Sequence, residues 1–195
     1  MKKKSSVKAS RGFLVKKLLL SVFVLCFVTT LFSGCAGKSK EDARPLENGV
    51  LKVGMNLNID SMCYLSEESS KPEGFEVELA RKLAEKTGLE LEIIDTSQKN
   101  LLKSLDGEIY DCTISAVGIA DWNEHHYSRT KAYADISSVK EQINPDIKYT
   151  KIAVFTKKYN PMAELLDEKL DELKKDGSLK EISQKYFQKD ITITE

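Results

Sequence analysis

The chain has 195 residues, of which 41% are hydrophobic and 31% charged, a balance that excludes a disordered or collagen-like chain and fits one globular domain. Seven of the 30 basic residues, and no acidic residue, lie in residues 1–34. Residues 35–195 therefore hold 23 basic and 30 acidic residues, a net charge of −7, which argues against nucleic-acid binding because that binding depends on Lys and Arg neutralising phosphates.

The N-terminus has the pattern of an export signal. Its basic residues are followed by 15 uncharged residues, 18–32, and then by two small residues, which is the order found in secretory signals. The alternative, a retained transmembrane helix, needs about 20 apolar residues, and Lys16 and Lys17 prevent extension upstream. The pattern therefore favours a signal peptide over residues 1–34.

The sequence LFSGC, which ends at Cys35, resembles a bacterial lipobox. The resemblance implies cleavage before Cys35 and lipidation of its thiol, and several acyl chains on one residue give a lasting membrane anchor. Residues 35–48 are then a polar tether. We expect a lipid-anchored protein on the extracytoplasmic face of the cell membrane.

Two cysteines, Cys63 and Cys112, lie in the part that is predicted to fold. An extracytoplasmic location permits a disulfide between them. However, Cys112 lies in the run YDCTIS, where a cysteine is typical of a small buried hydrophobe. The sequence leaves the bridge open and favours free thiols. Since neither cysteine has a CxxC partner or a histidine at ligand spacing, we predict no metal site.

The first half of the domain alternates strands and helices. A β-branched strand is predicted at residues 50–55, and an amphipathic helix at residues 75–87 because its apolar residues recur at i, i+3 and i+4. Gly88 is predicted to end this helix. The alternating residues 89–94 then indicate a second strand.

The same order continues through the second half. Ser97 is predicted to cap a short helix that Gly107 ends, and further strands are predicted at residues 110–117 and 151–155. Strands that alternate with helices imply right-handed crossovers. We therefore predict an α/β fold with a mostly parallel sheet and helices on both faces.

Two helices are predicted to complete the domain. Asn160 before Pro161 is typical of an N-cap with proline at the first helical position. Ser178 and Glu181 have the spacing of a capping box for the last helix. The first of these helices has an apolar row formed by Met162, Leu165, Leu166, Leu170 and Leu173.

The order of these elements is similar to that of the extracellular solute-binding proteins that deliver amino acids to ABC importers. The stretches that carry the resemblance are LKVGM at 51–55, GFEVELARKLAEKTGLELE at 74–92, IYDCTISAVGIAD at 109–121, and residues 151–187. The resemblance implies a periplasmic-binding-protein-like type II fold, in which two α/β lobes close on a ligand.

The second lobe of this fold is inserted after the position of Tyr133, and the family pattern resumes at Lys151. Residues 134–150 are too few to form a lobe, because domains typically have at least about 50 residues. We therefore expect residues 49–190 to form the first lobe alone, with residues 134–150 in place of the second.

The resemblance also implies where a solute would bind. The family uses hydroxyl groups at a strand end and a later arginine that holds the ligand carboxylate. Here Ser115 takes the first hydroxyl position, Gly118 the second, and Asn123 the position of the arginine. Loss of a charged partner costs about 1.5–3 kcal/mol, so we expect a degenerate site, with Asn56 and Asp60 as its other ligand-binding candidates.

A second candidate surface consists of large side chains near the mouth of the expected cleft. Met62, Tyr64 and Trp122 are predicted to lie there. Exposed aromatic and apolar side chains in such a position mark a contact face.

These features favour a membrane-anchored solute-binding lipoprotein of an amino-acid-type ABC importer, which recognises or hands over a small polar solute. An ABC permease or a second chain would complete its cleft. The alternative is a protein-interaction or sensory module that has lost solute binding. We expect no enzyme and no cofactor, since the sequence shows no nucleophile with a neighbouring base.

Overall fold

A five-stranded sheet forms the centre of the structure, a computed structural model that describes residues 43–193. In spatial order the strands are β5 (Glu90–Asp95), β1 (Val50–Met55), β6 (Cys112–Thr113), β10 (Phe155–Lys157) and β7 (Tyr127–Arg129). Strand β1 is parallel to β5 and β6, whereas β10 is antiparallel to β6 and β7. Four strands share one direction, so the mostly parallel sheet is confirmed.

Two smaller sheets flank the central one. The antiparallel strands of the first are β2 (Asn58–Ile59), β3 (Cys63–Leu65) and β4 (Pro72–Glu73). The second pairs β8 (Ala134–Asp135) with β9 (Lys151–Ile152) in antiparallel fashion. This pairing joins the two ends of residues 134–150.

Helices cover both faces of the central sheet, as predicted. The α-helices are α1 (Phe75–Thr87), α2 (Leu101–Asp106), α3 (Asp121–His126), α4 (Lys140–Ile143), α5 (Met162–Lys175) and α6 (Ser178–Phe187), with 3₁₀ turns at Gln98–Asn100 and Ile136–Val139. Helices α1, α5 and α6 pack on one another and share the larger core with β1. Helix α2 lies on the opposite face, in a smaller core with Phe155.

The larger core follows from the apolar faces of its helices. Leu79 and Leu83 of α1 are fully buried, and so are Leu166 and Leu170 of α5. Burial of each such side chain contributes roughly 1.5–3 kcal/mol. Helix α1 ends at Gly88, whose N–H donates to the carbonyl oxygens of Ala84 and Glu85, so the predicted stop is confirmed.

The smaller core depends on a close approach between Tyr110 and β1. A Cβ at Gly54 would lie 2.2 Å from the Tyr110 ring, so only glycine fits at this point of the strand. The Tyr110 hydroxyl donates to the Leu101 carbonyl oxygen, and burial raises the pKa of Tyr110 to about 12. The ring therefore ties α2 to the sheet.

Two predicted strands are shorter than the sequence indicated. Of residues 110–117 only Cys112–Thr113 is a strand, because the chain turns immediately afterwards and Ala116 has a φ of 48°. Residues 151–155 are divided between β9 and the start of β10. The predicted continuous strands were wrong because apolar runs do not reveal where pairing stops.

The helix caps were predicted correctly in one case out of three. Asn160 Oδ1 accepts the Met162 N–H at 2.9 Å, as expected. Ser97 makes no side-chain cap bond. The capping box at Ser178 is wrong, because Gly177 takes the N-cap position and Asp176 Oδ1 accepts the Ser178 N–H at 3.0 Å.

Residues 134–150 pack on the lobe itself. Ile136 and Val139 are buried in the larger core, and Ile143 and Ile147 pack against it. Residues 43–193 all fall within one unit of the fold, and they contain no second α/β body.

The predicted signal peptide, Cys35 and residues 35–42 of the predicted tether lie outside the described residues. Within the described range, every helix is too short or too polar to span a bilayer.

Candidate functional site

A cavity of about 300 Å³ lies where β1 and β6 end. In α/β sheets, ligands bind in the crevice outside the carboxyl ends of the strands. The lining residues from the first half of the domain, here called the strand-end wall, are Asn56, Asn58, Ile59, Gln98 and Ala116. Those from residues 134–150, here called the insert wall, are Ile143, Asn144, Asp146 and Ile147. The volume is at the lower end of the range for small-molecule sites.

The polar groups of the cavity are amides and one carboxylate. Asn56 Nδ2 donates to Gln98 Oε1 at 3.4 Å across the strand-end wall. On the insert wall, Asn144 Oδ1 accepts the Asp146 N–H at 2.9 Å. Within residues 43–193, Asp146 is the single lining residue with a charged side chain, and it is exposed. The described lining therefore combines apolar side chains with a few polar groups and one negative charge.

Ser115 lies behind the cavity rather than in its lining. Its side chain is fully buried, and its Oγ accepts the Asn56 N–H at 2.9 Å and lies 3.4 Å from Cys63 Sγ. The structure thus places Asn56 in the cavity lining, whereas the Ser115 hydroxyl makes internal contacts.

Gly118 is covered by Tyr149. A Cβ at Gly118 would lie 2.5 Å from the Tyr149 Cβ and 2.8 Å from the Tyr149 carbonyl oxygen. Asn123, at the position of the family's arginine, donates from Nδ2 to the Gly118 carbonyl oxygen at 2.9 Å. Both residues are occupied by internal contacts and neither lines the cavity.

Two charged residues near the predicted site also lie outside the lining. Arg129 forms an ion pair with Glu124 and donates to the Thr130 carbonyl oxygen at 2.7 Å. Asp60 is exposed and follows the lining residue Ile59. The lining residues that the structure describes therefore include neither a replacement arginine nor Asp60.

The predicted contact face is smaller than expected. Met62 is fully buried in the larger core, so its assignment to an exposed face was wrong. Its carbonyl oxygen accepts the Glu76 N–H at 2.8 Å, which fixes the segment against the start of α1. Tyr64 is half-buried, and Trp122 is 58% exposed and stacks on His126 at a centroid distance of 4.1 Å.

A buried acid that was not predicted from the sequence holds the backbone of one residue of the cavity lining. Glu76 of α1 is fully buried. Its Oε1 accepts the N–H of the lining residue Ala116 at 2.6 Å and the Tyr133 hydroxyl, while Cys63 Sγ donates to Oε2 at 3.5 Å. Burial raises the pKa of Glu76 to about 7, although the hydrogen bonds oppose that rise.

The sequence did contain a signal for this acid. Glu76 precedes Leu79, Ala80 and Leu83 by three, four and seven residues, which is the spacing of one helix face. An acid on the apolar face of an amphipathic helix indicates a buried polar interaction, because a buried charge requires partners.

The cysteines and the other potential ligands form no metal centre within residues 43–193. Cys63 and Cys112 are free and buried. The same part of the chain contains no group of three or more His, Cys, Asp or Glu side chains placed to hold an ion.

Comparison with known proteins identifies the family. The family model of the bacterial extracellular solute-binding proteins, family 3, matches residues 51–189. The chain belongs to this family. It is 26% identical over 168 residues to the L-cystine-binding protein TcyA of Bacillus subtilis, a match that covers 76% of this chain and 62% of TcyA.

An enzyme of Pseudomonas aeruginosa, cyclohexadienyl dehydratase, matches a shorter stretch of this family 3 chain. The two are 34% identical over 76 residues, which are 39% of this chain and 28% of the dehydratase. The chain therefore spans less than two thirds of the length of these two relatives.

A solved single domain shows the same fold as this family 3 chain. The arginine-bound form of domain 1 from TmArgBP superposes with a TM-score of 0.56 at 24% identity, covering 64% of this chain and 94% of that domain. This confirms the predicted fold, one α/β lobe of the type II periplasmic-binding-protein architecture.

Proposed function

We propose that this family 3 chain is a membrane-anchored lipoprotein that recognises a small polar solute and hands it to an ABC importer of the amino-acid type. The observation that carries the proposal is the cavity of about 300 Å³ at the strand ends of a family 3 lobe. Its amides and its single carboxylate suit a polar solute, because a few placed polar groups orient a ligand in such sites.

In this proposal a single lobe is sufficient to bind the solute. Domain 1 of TmArgBP was solved alone in an arginine-bound form, which supports solute binding without a second lobe. In this chain the insert wall supplies part of the cavity lining. Residues 134–150 thus take over part of the enclosing role of the absent lobe.

The binding is expected to be weak. Asn123 stands at the arginine position and is engaged with Gly118. Loss of a charged hydrogen-bond partner lowers affinity roughly ten- to a hundredfold. A permease or a second chain that closes over the cavity would recover part of this loss.

Isothermal titration calorimetry of the detergent-purified protein tests the proposal with a panel of amino acids, small amines and amides, with and without the co-encoded transporter proteins. We expect heat of binding with at least one solute, and a weaker affinity in Gln98→Ala. Gln142→Ala is the matched control, because Gln142 is exposed and does not line the cavity. Absence of binding throughout the panel, with and without the transporter proteins, would overturn the proposed function.

The anchor is tested separately. Radiolabelled palmitate is expected to enter the wild-type protein and Cys26→Ala, and to be lost from Cys35→Ala. Cys26 is the matched control because it lies within the proposed signal peptide. Equal labelling of Cys35→Ala and the wild type contradicts lipidation at Cys35.

A protein-interaction or sensory module is the second candidate function. The observation that favours it is that Ser115 is buried and Gly118 is covered, while Trp122 remains 58% exposed. For this function, Trp122→Ala should weaken the association detected by crosslinking in cells, and Tyr159→Ala should not, although Tyr159 is 82% exposed. Unchanged crosslinking in Trp122→Ala counts against this candidate.

A further inference from the structure

We propose that the cavity selects small cationic amines that carry no carboxylate, and that Asp146 receives their ammonium group. This inference rests on the proposed function, since it names the solute class for the same cavity. It differs from the use of an arginine to hold a carboxylate, because the selecting charge is negative and comes from residues 134–150.

The charge of the lining supports a cationic solute. Among the described residues of the lining, Asp146 is the single one with a charged side chain, and none is Lys, Arg or His. Within the described residues the Asp146 carboxylate takes part in no salt bridge. Lys148, two residues later, lies outside the lining. An ammonium group would therefore find a carboxylate that is open to a charge-assisted hydrogen bond, which is roughly twice as strong as a neutral one.

The nearby arginine and two backbone donors at the strand ends, which could otherwise receive a solute carboxylate, are already engaged. Arg129 is paired with Glu124. Of the backbone donors at the strand ends, the Ala116 N–H is bonded to Glu76 and the Asn56 N–H to Ser115. A carboxylate in this cavity would lose its water without gaining a cation, and it would lie close to Asp146. Such burial is unfavourable.

The rest of the lining suits a short alkyl chain with a second polar end. Ile59 of the strand-end wall and Ile147 of the insert wall are both partly buried. The side-chain amides of Asn58 and Gln98 lie on the strand-end wall and can each donate and accept hydrogen bonds. A short diamine or guanidino-amine has an apolar alkyl chain between two polar ends, which matches this combination of isoleucine and amide side chains.

The position of Asp146 is fixed by the contacts of its segment. Tyr149 packs directly on Gly118, and Ile143 and Ile147 pack against the larger core. The N–H of Asp146 is held by Asn144 Oδ1 at 2.9 Å. The carboxylate is thus carried by a segment that is anchored on both sides of it.

Matched pairs of probes that differ by one carboxylate test the inference in the detergent-purified full-length protein. Calorimetry compares agmatine with arginine and cadaverine with lysine. We expect each amine to bind at least tenfold more tightly than its amino acid. Equal or tighter binding of the amino acids overturns the inference while the proposed function stands, and absence of binding by the four probes and by the wider panel overturns both.

Two variants locate the effect at Asp146. Asp146→Asn is expected to weaken cadaverine binding about tenfold and to reduce the preference for cadaverine over lysine. Glu141→Gln is the matched control, since Glu141 is an exposed acid of the same segment outside the lining. Thermal melting followed by circular dichroism checks that both variants fold. A preference that is unchanged in Asp146→Asn overturns the assignment to Asp146.

Discussion

Gly118 and Tyr149 are in direct contact, and a Cβ at Gly118 would lie 2.5 Å from the Tyr149 Cβ and 2.8 Å from its carbonyl oxygen. The contact joins the end of the strand region to the segment that forms the insert wall. It explains how the lobe formed by residues 43–193 encloses a cavity, because Tyr149 holds residues 134–150 directly against the strand ends.

Gly118→Ala is therefore expected to displace the insert wall. Overpacking of this kind costs about 1–3 kcal/mol in the free energy of unfolding, which urea denaturation measures, and solute affinity should fall with it. Gly107→Ala is the matched control, because its Cβ would have no neighbour nearer than 3.7 Å. Equal stability of the two variants contradicts the contact.

Glu76 predicts a pH dependence of stability. Burial raises its pKa from the ordinary 4.5 to about 7, so the folded state binds this proton more tightly than the unfolded state does. By linkage, the contribution of Glu76 to the free energy of unfolding decreases as pH rises from about 5 to about 8. The decrease should amount to a few kcal/mol, since a tenfold change in proton affinity corresponds to about 1.4 kcal/mol.

Glu76→Gln isolates this contribution, because the amide does not titrate and keeps an oxygen for the Ala116 N–H. The difference in unfolding free energy between wild type and variant should favour the variant progressively from pH 5 to pH 8. The groups that contact Glu76, Tyr133 and Cys63, have pKa values that burial raises, so they stay protonated over this range. Glu85→Gln changes an acid on the exposed side of the same helix and keeps Glu76. Its difference in unfolding free energy from the wild type should therefore show no such trend. Parallel pH profiles for all three proteins would rule out titration of Glu76.

The helices could be predicted from the sequence because their stabilising contacts repeat along the chain. Helix α1 was predicted with its observed bounds of residues 75–87, since its apolar residues recur with the helical period. The family resemblance likewise predicted a site at the strand ends, which is where the cavity lies. In both cases the information is local.

The site itself could be predicted only in part, because its lining depends on contacts between distant segments. The structure places Asn56 in the cavity lining, whereas Asp146 was not among the predicted residues, because nothing near it in sequence indicates that it lies in the same lining as Asn58. Ser115 was expected to face a solute, but its hydroxyl is held by the Asn56 N–H. Met62 was expected to be exposed and is fully buried, since the amino-acid type alone does not fix which side of a loop it takes.

The helix caps give a test of the structure against the sequence pattern. Asn160→Ala removes the acceptor of the Met162 N–H and is expected to cost about 1 kcal/mol in unfolding free energy. Ser178→Ala should have an effect of less than about 0.5 kcal/mol, because Gly177 takes the N-cap position and Asp176 Oδ1 still accepts the backbone N–H of residue 178. A larger loss of unfolding free energy in Ser178→Ala than in Asn160→Ala would support the capping box that the sequence predicted.

The two cysteines are expected to resist alkylation in the folded protein. Both thiols are fully buried, and burial raises the pKa of each well above its ordinary value. Since the thiolate is the reactive form, neither residue should react with iodoacetamide at pH 8 under native conditions. Both should react fully in guanidinium chloride.

Mass spectrometry of the peptides that contain Cys63 and Cys112 measures each site separately, which keeps Cys26 and Cys35 out of the result. A disulfide-linked peptide pair would contradict the free thiols, and rapid native labelling of Cys63 alone would show that the packing between Ser115 and Glu76 opens readily.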